Sequence, residues 1–186
     1  MEKTAHLDAE VSPVFVKIAE SKKKITSLEG GTGAGKTYSI LQYLILIIGL
    51  QQTNNIISIT RSTLAELRSN AMRDFFNILQ KYKLYNPLFH NKTDRIYYLN
   101  GNIFEFLGMD KAEKKKGSRR DYLYCNEVID LNKEDWFQLS VRTRKKIYVD
   151  FNPTEMDSWI YDIILSRKDC NKIHCTYQDN WDFLGK

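Results

Sequence analysis

Strand-like and helix-like segments alternate along this chain, which predicts an α/β domain with a mostly parallel central sheet flanked by helices. Two further observations support that class. A strand-like run at residues 24–29 passes through a glycine-rich stretch straight into an apolar helical segment at 38–50. The pair Asn100-Gly101 separates two strand-like runs and predicts a β-hairpin, placed as an insertion or as an antiparallel edge. With 186 residues, 42% of them hydrophobic, the chain is long enough for one domain around a sizeable core.

The elements follow in order. Residues 13–21 read as a short helix opened by Pro13, and Lys22-Lys23-Lys24 precede the first strand. Residues 55–60 are rich in isoleucine and bounded by polar residues, hence a strand. Ser62 is the expected N-cap of a helix over 63–81, where Leu64, Leu67, Ala71, Phe75, Ile78 and Leu79 repeat at helical spacing. The hairpin takes 95–99 and 102–107, and a charged loop takes 111–120. A buried strand is expected over 122–127, and a helix capped by Asn132 over 133–141. A strand at 145–151, a helix at 157–165 and a last strand at 172–177 complete the pattern.

The glycine-rich stretch carries the chemistry. Gly30-Gly31-Thr32-Gly33-Ala34-Gly35-Lys36-Thr37 fits G-x-x-x-x-G-K-[ST] in full. Glycines let the backbone turn sharply and point successive N–H groups inward, and the following helix N-terminus favours phosphate. Lys36 is expected to reach the β- and γ-phosphates of ATP, and the Thr37 hydroxyl to hold Mg²⁺. The strand–loop–helix setting is what this motif requires, so the domain reads as a P-loop NTPase.

Phosphate binding alone hydrolyses nothing; an oriented water and a stabiliser of negative charge are also needed. Glu127 closes an apolar strand and is the expected activator of the water. Asn126 stands where an aspartate usually precedes that acid; it can accept a bond from a Mg²⁺-bound water but adds no charge. Asn152-Pro153 ends another strand, where an amide can sense the γ-phosphate. Arg61, at the end of the second strand, is expected on the nucleotide face. Arg119, Arg120, Arg142 and Arg144 are, with Arg61, the candidates for an arginine finger. The run Lys114-Lys115-Lys116-Gly117-Ser118-Arg119-Arg120 is expected to be a basic loop able to contact DNA phosphates.

Composition narrows the partners. Lysine and arginine exceed aspartate and glutamate by 28 − 23 = +5, which is compatible with a polyanion. Cys125, Cys170 and Cys175 are an odd set without C-x-x-C spacing, which points to a reducing compartment rather than a disulfide framework. His174 beside Cys175 is not a metal-ligand set. The N-terminus lacks the apolar core of a signal peptide, and the apolar run 44–48 is too short to cross a bilayer, so no membrane partner is expected.

Taken in order, the motifs resemble the N-terminal ATPase domain of the large terminase subunit of tailed bacteriophages. The carrying residues are the P-loop at 30–37, Thr60-Arg61-Ser62-Thr63-Leu64 running into Leu67-Arg68-Ser69, Tyr124-Cys125-Asn126-Glu127, Gln138-Leu139 with Arg142-Thr143-Arg144, Asp150-Phe151-Asn152-Pro153-Thr154 with Trp159-Ile160-Tyr161, and Thr176-Tyr177-Gln178-Asp179-Asn180. The resemblance implies an additional-strand ATPase that uses ATP and Mg²⁺ to drive double-stranded viral DNA into a procapsid. It implies a ring of subunits at the portal, with portal protein and small terminase subunit as partners, in the cytoplasm of an infected bacterium. It makes Lys36 and Thr37 the phosphate-binding pair, Glu127 the catalytic carboxylate and Asn152 the coupling residue. Arg119 or Arg120 becomes the arginine that reaches a neighbouring subunit. Residues 1–186 are read as a single ATPase domain. The family continues into a nuclease domain with acidic metal ligands, and no nuclease activity is expected of these residues. Three other uses of a P-loop stay open at this stage: a helicase-like nucleic-acid ATPase, a small-molecule kinase, and a nucleotide-binding switch with weak hydrolysis.

Overall fold

The computed structural model describes residues 9–111, 118–153 and 159–183. Eight strands form one sheet: β1 (Ile25–Gly30), β2 (Ile56–Arg61), β3 (His90–Asn91), β4 (Ile96–Leu99), β5 (Asn102–Gly108), β6 (Arg120–Cys125), β7 (Thr143–Phe151) and β8 (Cys170–Cys175), in the spatial order β3-β4-β5-β2-β6-β7-β1-β8. From β5 to β8 every pairing is parallel. Only β3–β4 and β4–β5 are antiparallel, so the mostly parallel sheet with its hairpin is as the sequence predicts. Asn100 and Gly101 both take positive φ (50° and 73°), as a two-residue hairpin turn requires. The hairpin forms an antiparallel edge whose second strand lies parallel to β2.

Helices cover both faces, as parallel strands joined by crossovers demand. On one face lie α1 (Pro13–Glu20), α2 (Lys36–Tyr43), α3 (Leu64–Leu67) and α4 (Arg73–Lys81). There Ile18, Ile40, Leu44 and Phe75 pack against strand residues including Tyr124 and Tyr148. On the other face α5 (Lys133–Val141) brings Trp136 and Leu139 against Leu123, Val149 and Phe151. Along β6 and β7 neighbouring residues therefore divide between two cores, as the two-residue repeat of a strand dictates. No helix among the described residues is long and apolar enough to cross a membrane.

Several boundaries differ from expectation. β6 and β7 each begin two residues early, at Arg120 and Thr143, because they are central strands whose pairing extends past their apolar runs. β8 is displaced to Cys170–Cys175 by its register with β1. The helix cap falls on Thr63, whose Oγ1 accepts from the Glu66 N–H at 3.3 Å, while the Ser62 hydroxyl donates to the Glu66 carboxylate at 2.9 Å. The Asn132 cap stands, with Oδ1 accepting from the Asp135 N–H at 2.7 Å. The helix expected at 38–50 starts at Lys36 and continues through the wider π-type turn Leu44–Gly49. Of the helix expected at 157–165, residues 157 and 158 lie outside the described residues, and Tyr161–Leu165 is again a π-type turn.

One close approach fixes how α3 meets the sheet. A Cβ on Gly108 would lie 2.4 Å from the Leu64 amide nitrogen and 2.5 Å from its Cα, both backbone atoms that cannot rotate away. Gly108→Ala is therefore expected to push the start of α3 off β5 and cost about 1–3 kcal/mol, read as a lower midpoint in urea unfolding.

Candidate active site

The C-terminal ends of β1, β2, β6 and β7 meet at one edge of the sheet, where ligands of open α/β folds bind. The motif residues arrive there from separate strands. β1 runs into the P-loop, where Gly33 (φ 82°) and Gly35 (φ 71°) supply the left-handed turns and Gly35 caps α2. At Gly30 a Cβ would fall 2.0 Å from the Cys175 carbonyl oxygen of β8, so glycine is required where the loop leaves the sheet. Gly31, Thr32 and Gly33 are exposed, whereas Ala34 is buried beneath the loop.

Lys36 links the loop to the end of the neighbouring strand β7. Its Nζ donates to the Gly30 carbonyl at 2.6 Å, the Gly31 carbonyl at 3.0 Å and Asn152 Oδ1 at 2.8 Å. The Asn152 backbone N–H in turn reaches Glu127 Oε2 at 3.3 Å. Asn152, just beyond β7, therefore touches both Lys36 and Glu127. Glu127 sits in the left-handed region (φ 48°, ψ 62°), a conformation costing a non-glycine residue of the order of 1 kcal/mol and typical of functional sites. Burial raises the proton affinity of its carboxyl above the ordinary carboxylate range; the neighbouring Asp150 charge adds to this and Lys36 opposes it.

Asp150 is the site residue that reading the motifs missed. Its carboxylate is fully buried on β7 and receives four donors. The Thr37 hydroxyl donates at 2.6 Å and the Tyr124 hydroxyl at 2.8 Å; the Glu127 N–H does so at 2.8 Å and the Asn126 amide at 3.1 Å. The only sequence signal was its place in Asp150-Phe151-Asn152-Pro153, where it reads as one polar residue in an apolar strand.

Asn126 needs correction in its metal role. It is buried between Arg61, whose Nη1 donates to its Oδ1 at 3.1 Å, and Asp150. Arginine only donates and a carboxylate only accepts, so these two partners fix which way the amide faces. Its Nδ2, not its oxygen, points to Thr37 Oγ1 at 3.2 Å. In this arrangement the Asn126 oxygen faces Arg61 and the amino group faces Thr37. Arg61 ends β2 at the same edge of the sheet as the P-loop, also approaching Glu66 at 3.5 Å and Asp130 at 3.7 Å.

The other arginines lie elsewhere. Arg119, Arg120, Arg142 and Arg144 stand at the beginnings of β6 and β7, one strand length from Glu127, roughly 20 Å at the usual rise per residue. Arg119 is exposed. Arg120 is fully buried, its Nη2 donating to the Ser118 carbonyl at 2.8 Å, so it cannot extend into a neighbouring subunit. The expectation that Arg120 serves as a finger is corrected on that ground. Residues 112–117 of the expected basic loop lie outside the described residues.

One contact from the chain's end completes the cradle. Asn180 Nδ2 donates to the Gly33 carbonyl at 2.9 Å, and Asp179, held to Lys17 at 2.7 Å, accepts from the Thr176 N–H at 2.8 Å to fix that turn. A side chain at Gly35 would strike Asn180 Oδ1 at 2.7 Å.

The model of the phage terminase large subunit family matches residues 22–186. The chain belongs to that family. No curated protein matches it by sequence. Among solved structures it is similar to the large terminase of a thermophilic bacteriophage, with a TM-score of 0.81 at 18% identity over 95% of this chain and 48% of that one. It is similar to the large terminase ATPase domain of Thermus phage P74-26 (TM-score 0.67, 12% identity, 95% and 86% covered). The large terminase of bacteriophage HK97 matches less closely (TM-score 0.64, 11% identity, 91% and 40% covered). At these identities the likeness shows the fold, that of terminase ATPase domains. This terminase chain spans about half the length of the first of these proteins. That first protein was also solved with ADP and with ATP-gamma-S.

Proposed function

We propose that this terminase chain is an ATP-hydrolysing motor domain that drives double-stranded viral DNA into a procapsid. The observation that carries the reading is the contact path from Lys36 through Asn152 to Glu127, which joins the phosphate-binding loop to the acid that would ready the water. The ADP and ATP-gamma-S complexes of the thermophilic bacteriophage terminase support ATP as the ligand.

The chain's own groups have distinct tasks. Loop N–H groups and the start of α2 receive the phosphates, and Lys36 neutralises charge on the β- and γ-oxygens. Glu127 orients a water in line with the γ-phosphorus and accepts its proton as the new P–O bond forms and the bond to the ADP oxygen breaks. Asn152 senses the γ-phosphate because it touches both Lys36 and Glu127. Thr37, with its hydroxyl at the mouth of α2, would hold Mg²⁺, whose charge offsets that developing on the phosphate oxygens. Arg119 is the exposed arginine we assign to a neighbouring subunit in a ring. Portal protein, small terminase subunit and duplex DNA are the proposed partners, in the cytoplasm of an infected bacterium.

Lys36→Ala tests the reading. ATP affinity is expected to fall about 10- to 100-fold, the worth of charge-assisted hydrogen bonds, and DNA-stimulated turnover to vanish. Unchanged ATP binding by titration calorimetry overturns the assignment. Unwinding of a duplex, instead of duplex-stimulated hydrolysis, would favour a helicase.

A further inference from the structure

We propose that Asp150, on β7, is the carboxylate that orients Thr37 toward Mg²⁺ from behind, supplying the charge that position 126 lacks. The inference rests on the nucleotide-binding reading above and adds a residue to it. Three observations carry it. Asn126 turns its amino group toward Thr37 and its oxygen toward Arg61. Asp150 lies directly against that amide, at 3.1 and 3.3 Å to its two oxygens. The Thr37 hydroxyl donates to Asp150 Oδ2 at 2.6 Å.

That last bond has a geometric consequence. A hydroxyl that ligates a cation must point a lone pair at it and send its proton elsewhere. Asp150 takes the proton, which leaves a Thr37 lone pair to face the ligand. Asp150 is thus a positioning residue for Thr37 that places a negative charge one hydroxyl away from the cation, as second-shell carboxylates do around other ions.

Charge balance points the same way. Asp150 is 0% exposed, and no cationic nitrogen lies within ion-pair distance of it among the described residues. A buried carboxylate held only by neutral donors is costly, and a divalent cation one hydroxyl away offsets that cost. Positions 126 and 150 stand side by side on neighbouring strands: Cys125, just before Asn126, pairs with Val149, just before Asp150. Either strand can therefore deliver a carboxylate to the same place.

The test is nucleotide binding, measured by titration of ATP-gamma-S with and without Mg²⁺. Asp150→Asn is nearly isosteric, and its effect is read as the ratio of the affinities with and without Mg²⁺. It should remove most of the enhancement that Mg²⁺ brings, by about 10-fold or more. The exchange Asn126→Asp with Asp150→Asn returns one carboxylate to the pair and should restore much of that enhancement, which a merely structural role for Asp150 would not do. Full Mg²⁺ enhancement in Asp150→Asn overturns the proposal and leaves the nucleotide reading intact. Failure of the unaltered protein to bind ATP-gamma-S with Mg²⁺ overturns both.

Discussion

Glu127→Gln is expected to lower steady-state ATP turnover about 10²- to 10⁴-fold, the range ascribed to a positioned general base, while ATP still binds. Glutamine keeps the length of the side chain and an oxygen for the Asn152 N–H, so the contact that ties the acid to β7 survives. What it loses is the ability to take a proton. That ability is enhanced here because burial and the Asp150 charge both raise the proton affinity of the Glu127 carboxyl. The backbone adds a second reason. Glu127 is held left-handed, with its N–H committed to Asp150 at 2.8 Å, so its aim depends on β7 as much as on its own strand. Turnover assays paired with ATP-gamma-S binding check the prediction. Undiminished turnover removes Glu127 from the chemistry, and lost binding would mean that the substitution disturbed the P-loop instead.

The P-loop was legible because its requirements sit in consecutive residues: glycines for two positive φ angles, a lysine and a hydroxyl at fixed offsets. The Asn100-Gly101 turn and the Asn132 cap were legible for the same reason, since each acts over two to four residues. Asp150 was not. Its donors Thr37, Tyr124, Asn126 and Glu127 come from segments that only sheet order brings together, with β7 lying between β6 and β1. Asn126 was found, yet its orientation was not, because Arg61 on β2 decides it. Arg120 misled in the opposite direction. In the sequence it ends a basic run and looks like the tip of a loop, but β6 is a central strand and captures it as its first residue.

Arg120→Met is expected to destabilise the domain by about 3–5 kcal/mol, the range for leaving a buried charge uncompensated, because the buried Glu105 loses the favourable field of the guanidinium. Total stabilities run to about 5–15 kcal/mol, so the loss would lower the melting temperature by roughly 6–20 °C for a chain of this size. Glu105 on β5 is the charge left behind: it is 9% exposed, accepts a hydrogen bond from Ser58 Oγ at 2.5 Å and interacts with the Arg120 charge. Methionine fills much of the volume, so the deficit is electrostatic rather than a cavity. The double variant Arg120→Met, Glu105→Gln should therefore recover a large part of it, a coupling that a double-mutant cycle in urea reads directly. Arg119→Ala, one residue away but exposed, should leave the unfolding free energy within about 0.5 kcal/mol of its starting value. The contrast separates two roles that adjacent arginines share in sequence. Loss of turnover in Arg120→Met would track the unfolded fraction, whereas loss in a fully folded Arg119→Ala would locate a charge delivered to the neighbouring subunit's nucleotide. Full stability in Arg120→Met would show that the buried guanidinium does not hold the start of β6, and would reopen its candidacy.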